Sequence, residues 1–221
     1  MDTTIPNQRQ PLVDEFTQRN SKINLSAIRE PLEVYQKHIL DALEIEKIDP
    51  KVLPLLTTVG SDWDKVNDEV RESALEKRAG VREINGCDLG TGGWFPLLPL
   101  ATIYPHIQWT GLDARNKKIA AINDMAQSLG LSNCSAIHSR VEEHNTTYDI
   151  VTARAVAYAD KLLPRVDHIL KPWGTALFYK LFTTEEDKII QKYWRDIIKK
   201  HRYTLWDDDV EKILYVLKKP Q

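Results

Sequence analysis

The stretch CDLGTGGWFP, Cys87 to Pro96, decides the fold. An apolar run ends in an acidic residue, Asp88, and passes directly into Gly90-Thr91-Gly92-Gly93. Missing side chains let the backbone turn sharply there and let its N–H groups approach a ligand. Read alone, the cluster is equally a tight strand-to-helix turn and a cradle for a nucleotide-like ligand. Toward the C-terminus the pattern alternates between short apolar runs and amphipathic stretches, the signature of a parallel sheet with helices on both faces. Strands are expected near 83–89, 107–112, 134–138, 148–153 and 175–181, with helices over 95–104, 117–129, 159–170 and 185–200. The last helix would carry Ile189, Ile190, Tyr193, Trp194, Ile197 and Ile198 on one face, and a closing antiparallel hairpin is expected around 203–206 and 212–217.

Toward the N-terminus the apolar spacing is helical over 11–22 and 31–47, the second run burying Leu32, Tyr35, Ile39 and Leu43. Between them INLSAIREP is irregular, and its Pro31 suits the first turn of the helix that follows. A third, densely charged stretch opens at Ser61 or Asp62, closes at Gly80 and reads as a peripheral insertion. The expected architecture is α/β. Accessory helices with an insertion fill residues 1–82, and a Rossmann-like, mainly parallel sheet with a closing hairpin fills 83–221.

A chain of 221 residues suits one such domain with a substantial core. No run approaches the roughly 18 apolar residues that span a bilayer. The opening MDTTIPNQRQ lacks a basic flank, an apolar stretch and a cleavage site, so a cytoplasmic protein with no membrane association, acting as a monomer, is expected. A net charge of −2 argues against indiscriminate coating of nucleic acid, so any such contact is local. Basic residues gather at Arg115, Lys117 and Lys118, and again at Lys171, Lys180, Lys188, Lys192, Lys199, Lys200 and Arg202. A binding patch and ordinary solvated helix faces are both open for them. The two cysteines, Cys87 and Cys134, have no metal-ligand or redox spacing and read as core; no metal is expected.

In an open parallel sheet ligands bind beyond the carboxyl ends of the strands, and these exits are coherent. The second strand ends in Asp113, where a carboxylate can accept both hydroxyls of a ribose, although alone it is also a helix cap. A nicotinamide site would need a third glycine where Phe95 stands. Asp88 beside the turn favours S-adenosylmethionine (SAM), which carries a cationic amino group and a sulfonium, over a pyrophosphate that it would repel. After the third strand, Ser139-Arg140-Val141-Glu142-Glu143 offers backbone groups and an acid for the amino edge of adenine, or simply a helix start. After the fourth, TARAVA places Arg154 toward the cleft, where a guanidinium can hold a base edge or phosphate by two parallel bonds. There is no Asp/Asn-Pro-Pro-aromatic tetrad for an exocyclic amine and no Pro-Cys nucleophile for carbon methylation. A target with a free lone pair, such as guanine N7, needs neither.

These residues resemble the small-subunit ribosomal RNA guanine-N7 methyltransferases, the RsmG or glucose-inhibited division protein B family. INLSAIREPLEVYQKHILDAL (Ile23 to Leu43) is similar to that family's N-terminal signature, and DLGTGGWFPLLPLA (Asp88 to Ala101) to its glycine loop. LDARNKKIAAI, SRVEE and VTARAVA are similar to its later segments, so the likeness runs from about Ile23 to Lys180. It implies a class I SAM-dependent methyltransferase fold, SAM as methyl donor, and 16S ribosomal RNA or the small subunit as partner. Carried over by position, it implies that Gly90, Phe95, Val141, Glu142 and Arg154 contact SAM, with Asp113 at its ribose and Arg154 also facing the guanine as catalytic residue. Asp88, Thr91, Gly92, Gly93 and Arg140 complete the expected cofactor site. Asn24, Arg29, His38, Lys117, Lys118 and Lys180 match positions near the active site or the RNA face.

The chain departs from the family pattern at Trp94 and Leu97, where further glycines are usual, and at Leu181, where the family has the glycine of an LKG ending. Either Gly93 takes over the turn, or the indole fills part of the cofactor pocket. The second case would leave a degenerate relative that binds RNA or the ribosome without catalysis. A small-molecule methyltransferase is the remaining alternative.

Overall fold

The expected alternation is present in the computed structural model, whose described residues are 4–56, 83–194, 196–205 and 209–220. In chain order the elements are α1 (Gln10–Ile23), α2 (31–47), β1 (Ile84–Leu89), α3 (Leu97–Ile103), β2 (Ile107–Asp113), α4 (Asn116–Ser128) and β3 (Cys134–His138). They continue with β4 (Tyr148–Arg154), α5 (Ala159–Ile169), β5 (Leu170–Leu181), α6 (Thr184–Tyr193), β6 (Ile197–Tyr203) and β7 (Lys212–Lys218). The strands form one sheet in the order β3-β2-β1-β4-β5-β7-β6. The first five are mutually parallel, and β7 runs antiparallel to both β5 and β6. The order reverses at β1, between β2 and β4, so a crevice opens beyond the carboxyl ends of these strands. The expected insertion at 61–80 lies outside the described residues.

Two sequence expectations are corrected. The helix expected over 185–200 stops at Tyr193, and Ile197–Tyr203 is the outer hairpin strand, earlier than the 203–206 expected. Thr183 caps α6, its hydroxyl accepting from the Glu186 N–H at 3.2 Å, while Trp194 ends it by donating its indole N–H to the Lys218 carbonyl at 2.7 Å. Pairing with β7 outcompetes helix continuation, and Tyr193 and Ile198 stay exposed rather than joining one apolar face. The run 31–47 is helical, but Tyr35–Ile39 is a π-turn, a widening that shifts which residues face inward. Val34, Ile39 and Leu43 are buried, whereas Leu32 and Tyr35 are half-buried.

Two cores flank the sheet. One is shared between the N-terminal helices and α3 and α4, joining Phe16, Val34 and Ile39 to Trp94, Leu97, Leu100 and Ile122. The other joins α5 and α6 to the opposite face through Leu162, Val166, Phe178, Ile190 and Tyr215. At Gly86 a β-carbon would lie 2.6 Å from the Trp109 ring, so the bare strand position lets the indole lie across it. Cys87 and Cys134 are both free, and burial pushes the Cys134 thiol up to about 12 and the Cys87 thiol well above its ordinary value. Both behave as apolar core groups, as expected.

Candidate active site

The turn after β1 is built by hydrogen bonding across to β2. The N–H groups of Gly90 and Thr91 both donate to the Leu112 carbonyl, at 2.8 and 3.1 Å, so they hold the turn rather than a ligand. Gly90 takes φ +70°, a left-handed conformation that suits a residue without a β-carbon. Its neighbour across the crevice is Val156, in the loop after β4, whose methyl would lie 2.8 Å from a β-carbon at Gly90. That second loop turns through Ala155, also left-handed at φ +53°, immediately after Arg154. Two left-handed turns thus face one another at the switch point, and the strained one, at Ala155, is of a kind common at ligand sites.

Trp94 also adopts a left-handed backbone, φ +73°, so the chain keeps the conformation of a glycine there despite its large side chain. The indole does not stand in the crevice. It is fully buried beneath α1, edge-on to Phe16 with ring centroids 5.0 Å apart. Leu97 is likewise buried, against the space left by Gly111 on β2. Of the two alternatives for Trp94, an indole standing in the crevice is not what the structure has, because the N-terminal helices supply an apolar slot for it.

Asp88 closes β1 with only 1% exposure. Its Oδ1 accepts from the Thr152 hydroxyl at 2.7 Å, while Oδ2 reaches no partner among the described residues. Burial pushes this carboxyl up to about 7, against the pull of the Thr152 and Thr91 hydroxyls and of Arg154. Asp113 ends β2, and its Oδ1 accepts from the Arg115 N–H at 2.8 Å. A β-carbon at Gly92 would meet Asp113 Oδ2 at 2.7 Å and Lys118 Nζ at 3.0 Å, whereas one at Gly93 would meet nothing within 4 Å. Lys118 therefore turns in toward the glycine loop, while Lys117 is exposed. Val141 is buried in the second core; Arg140 and Glu142 are exposed, Glu142 accepting from Arg165 Nε at 2.8 Å.

Arg154, at the end of β4, is held by three groups of α2. Its Nε pairs with Asp41 Oδ2 at 2.7 Å, and Nη2 bonds the Lys37 carbonyl at 3.1 Å and His38 Nδ1 at 3.2 Å. The Nε edge is thus spent within the protein. Among the described residues no hydrogen bond engages Nη1, which carries two N–H donors. His38 stacks on Phe95 at 4.8 Å and bonds the Ser26 hydroxyl at 2.9 Å through Nε2. Burial and the Arg154 charge lower it to about 4, so it is neutral at physiological pH and accepts from Arg154 through Nδ1. Asn24 ends α1 in a left-handed conformation and accepts from Arg29 at 2.9 Å, both near the surface.

Asp41 is the residue that motif reading passed over. It is 2% exposed and also accepts from the Tyr203 hydroxyl at 2.8 Å and from Lys212 Nζ at 3.3 Å, so one carboxylate joins α2, the β4 exit and the terminal hairpin. Its signal was position, one turn after His38 on a helix otherwise apolar at that face. Lys180, expected toward the RNA face, is 12% exposed and tied to Glu186 at 2.6 Å and the Ala157 carbonyl at 2.7 Å. Of the seven C-terminal basic residues, Lys171, Lys180, Lys200 and Arg202 have acidic partners, which favours local structure over a continuous patch.

This strand order, with its single reversed strand and its ligand crevice at β1, defines a class I methyltransferase fold. Similarity to a solved ribosomal protein L11 methylase from Lactobacillus delbrueckii subsp. bulgaricus agrees, with a TM-score of 0.51 at 16% identity over 70% of this chain and 80% of that one. The chain belongs to the rRNA small subunit methyltransferase G family, whose model matches residues 68–203. It is 31% identical over 213 residues to the ribosomal RNA small subunit methyltransferase G of Lactococcus lactis subsp. cremoris (strain SK11), covering 91% of this chain and 78% of that one. The same-named protein of Macrococcus caseolyticus is 36% identical over 143 residues, a match that covers 62% of this chain and about half, 48%, of that relative.

Proposed function

We propose that this protein transfers the methyl group of SAM to N7 of a guanine in small-subunit ribosomal RNA, acting as a monomer in the cytoplasm. Residues 83–221 form the catalytic unit, and the N-terminal helices position it. The observation that carries the reading is Asp88 Oδ2, a buried carboxyl oxygen with no hydrogen-bond partner among the described residues, beside the glycine turn. A buried polar atom of this kind calls for a partner, and the amino group of SAM is a cationic one. Asp113 would take the ribose hydroxyls. Gly93 leaves open space alongside, Gly92 lets Asp113 and Lys118 close on the loop, and Val141 borders the adenine end. Bound there, SAM supplies a methyl group already activated on a positively charged sulfur.

The acids near Arg154 fit a target that needs no base. Asp41 is bonded to Arg154, Lys212 and Tyr203, and Glu186 to Lys180 and the Ala159 N–H, so neither is free to remove a proton. Guanine N7 carries its lone pair already, and the positive charge passes from sulfur to the purine ring with no proton moved. Arg154 Nη1 would fix the base through its carbonyl oxygen, leaving N7 open. Orientation and exclusion of water then carry the rate. Calorimetry with SAM and S-adenosylhomocysteine tests the cofactor, and no binding at millimolar ligand would refute the enzyme. Incubation with small subunits or stripped ribosomal RNA, with N7-methylguanine mapped by strand scission, tests the substrate. Arg154→Ala should abolish transfer; near-normal turnover would remove that residue from the mechanism.

A further inference from the structure

A cavity of about 580 Å³ opens beyond the carboxyl ends of β4 and β5, against the terminal hairpin. Its volume lies within the roughly 300–1,000 Å³ typical of sites that enclose a small organic ligand. The glycine turn is not part of its lining, yet Val156 both borders it and meets Gly90, so cavity and cofactor turn share one wall. Its charged lining residues are Asp41, Arg154, Lys180, Glu186 and Lys212. Lys180 is neutralised by Glu186, and Asp41 alone faces both Arg154 and Lys212. Three cations against two carboxylates leave the cavity one positive charge in excess, which suits an anionic ligand.

Two of the lining residues are large apolar groups left open to water, Tyr158 at 73% exposure and Leu181 at 57%. Tyr158 is the residue just before α5, four positions after Arg154, where the start of the helix fixes its backbone. An exposed aromatic ring on a rigid helix start, beside a cavity of positive charge, is the combination that captures an unstacked base and its phosphate.

We propose that this cavity seats the target nucleotide turned out of its strand, with the Tyr158 ring stacked on the base and Lys212 as counter-charge to its phosphate. The inference rests on the RNA methyltransferase reading and gives that reading a substrate pocket. Arg154 joins the two sites, since it borders the cavity and closes the strand next to β1.

The test is steady-state methylation of ribosomal RNA by the full chain, with SAM affinity measured in parallel. Tyr158→Ala should raise the KM for RNA at least about fivefold, as loss of one stacked base does. SAM affinity should be retained, and Tyr158→Phe should restore the KM. Because Tyr158 is exposed, its removal leaves folding intact. Lys212→Met should raise the same KM and reduce the slope of log KM against log salt by about 0.7, the share of one phosphate contact on a single strand, and Lys212→Arg should recover both. A wild-type KM in Tyr158→Ala, or an unchanged salt slope in Lys212→Met, would overturn the assignment while wild-type transfer still stood. Wild-type protein that binds SAM but transfers no methyl to RNA would remove the RNA reading and the assignment together.

Discussion

The proposed placement of Asp88 against the cationic end of SAM predicts a pH dependence of cofactor binding of calculable size. With its carboxyl at about 7 it is mostly protonated at pH 6 and half ionised at pH 7. A cationic group placed against Oδ2 favours the ionised form, so binding below pH 7 must release a proton. If only the ionised form binds, the apparent Kd scales with the fraction ionised, and raising the pH from 6 to 7 tightens SAM binding about fivefold. Both values lie below the range, about 7.7–8.0, in which the ligand's own α-amino group titrates. Calorimetry at pH 6 in buffers of different ionisation enthalpy should report release of about 0.9 proton per SAM bound. Asp88→Asn, which keeps the shape and the bond from Thr152, should abolish both effects. A Kd that stays constant from pH 6 to 7, with no proton released, would refute the placement of Asp88 against the cationic end of SAM. The same group also acts on stability without ligand. A raised carboxyl binds more protons folded than unfolded between about pH 4 and 7, so stability falls as pH rises through that window.

His38 has the opposite slope: lowered to about 4, it binds fewer protons folded than unfolded, so stability is lost as pH falls from 6.5 toward 4, by up to about 3 kcal/mol. Urea titrations of His38→Gln across that range should lack this loss, and an unchanged pH profile would exclude a neutral, buried imidazole. Asp41→Asn leaves Arg154 and Lys212 without their shared carboxylate and should cost about 3 kcal/mol with at least tenfold lower turnover. Stability within about 1 kcal/mol of wild type would contradict the buried pairing. Trp94→Gly relieves a left-handed backbone, about 1–2 kcal/mol, but empties a buried indole site worth about 3–5, a net loss of about 1–4 kcal/mol, so the melting temperature should fall by roughly 2–16 °C. SAM affinity should stay within about twofold of wild type; a large gain would mean that the indole occupies the cofactor space after all.

The parallel core was legible because its signals are local. The five leading strands end in turn or cap residues, and the 83–89, 107–112, 134–138 and 148–153 expectations lie within a residue of the structure at each end. The terminal hairpin was less so, since Ile189, Ile190, Ile197 and Ile198 fit a helical period as well as two strand positions. Only pairing with β7, far along the chain, decides between them. The two alternatives at Trp94 stayed open for a similar reason. Sequence shows a bulky residue at a glycine position, but not that Phe16, nearly eighty residues earlier, waits to cover it. At the site, Asp88, Asp113 and Arg154 could be read from strand exits. Asp41, Tyr203 and Lys212 could not, because their roles depend on one another across 162 and 171 positions.

Those separations set an order of events during synthesis. A nascent chain emerges N-terminus first, and residues 31–47 and the β4 exit are complete well before the last strand leaves the ribosome. Until Tyr203 and Lys212 dock, Asp41 has Arg154 alone of the three partners described and the cavity lacks its hairpin wall. A growing chain able to fold its first five strands would still have an unfinished pocket. On the proposed reading the substrate pocket is complete only with the final strand, and a product truncated before it should transfer no methyl group to RNA however well its glycine turn had formed.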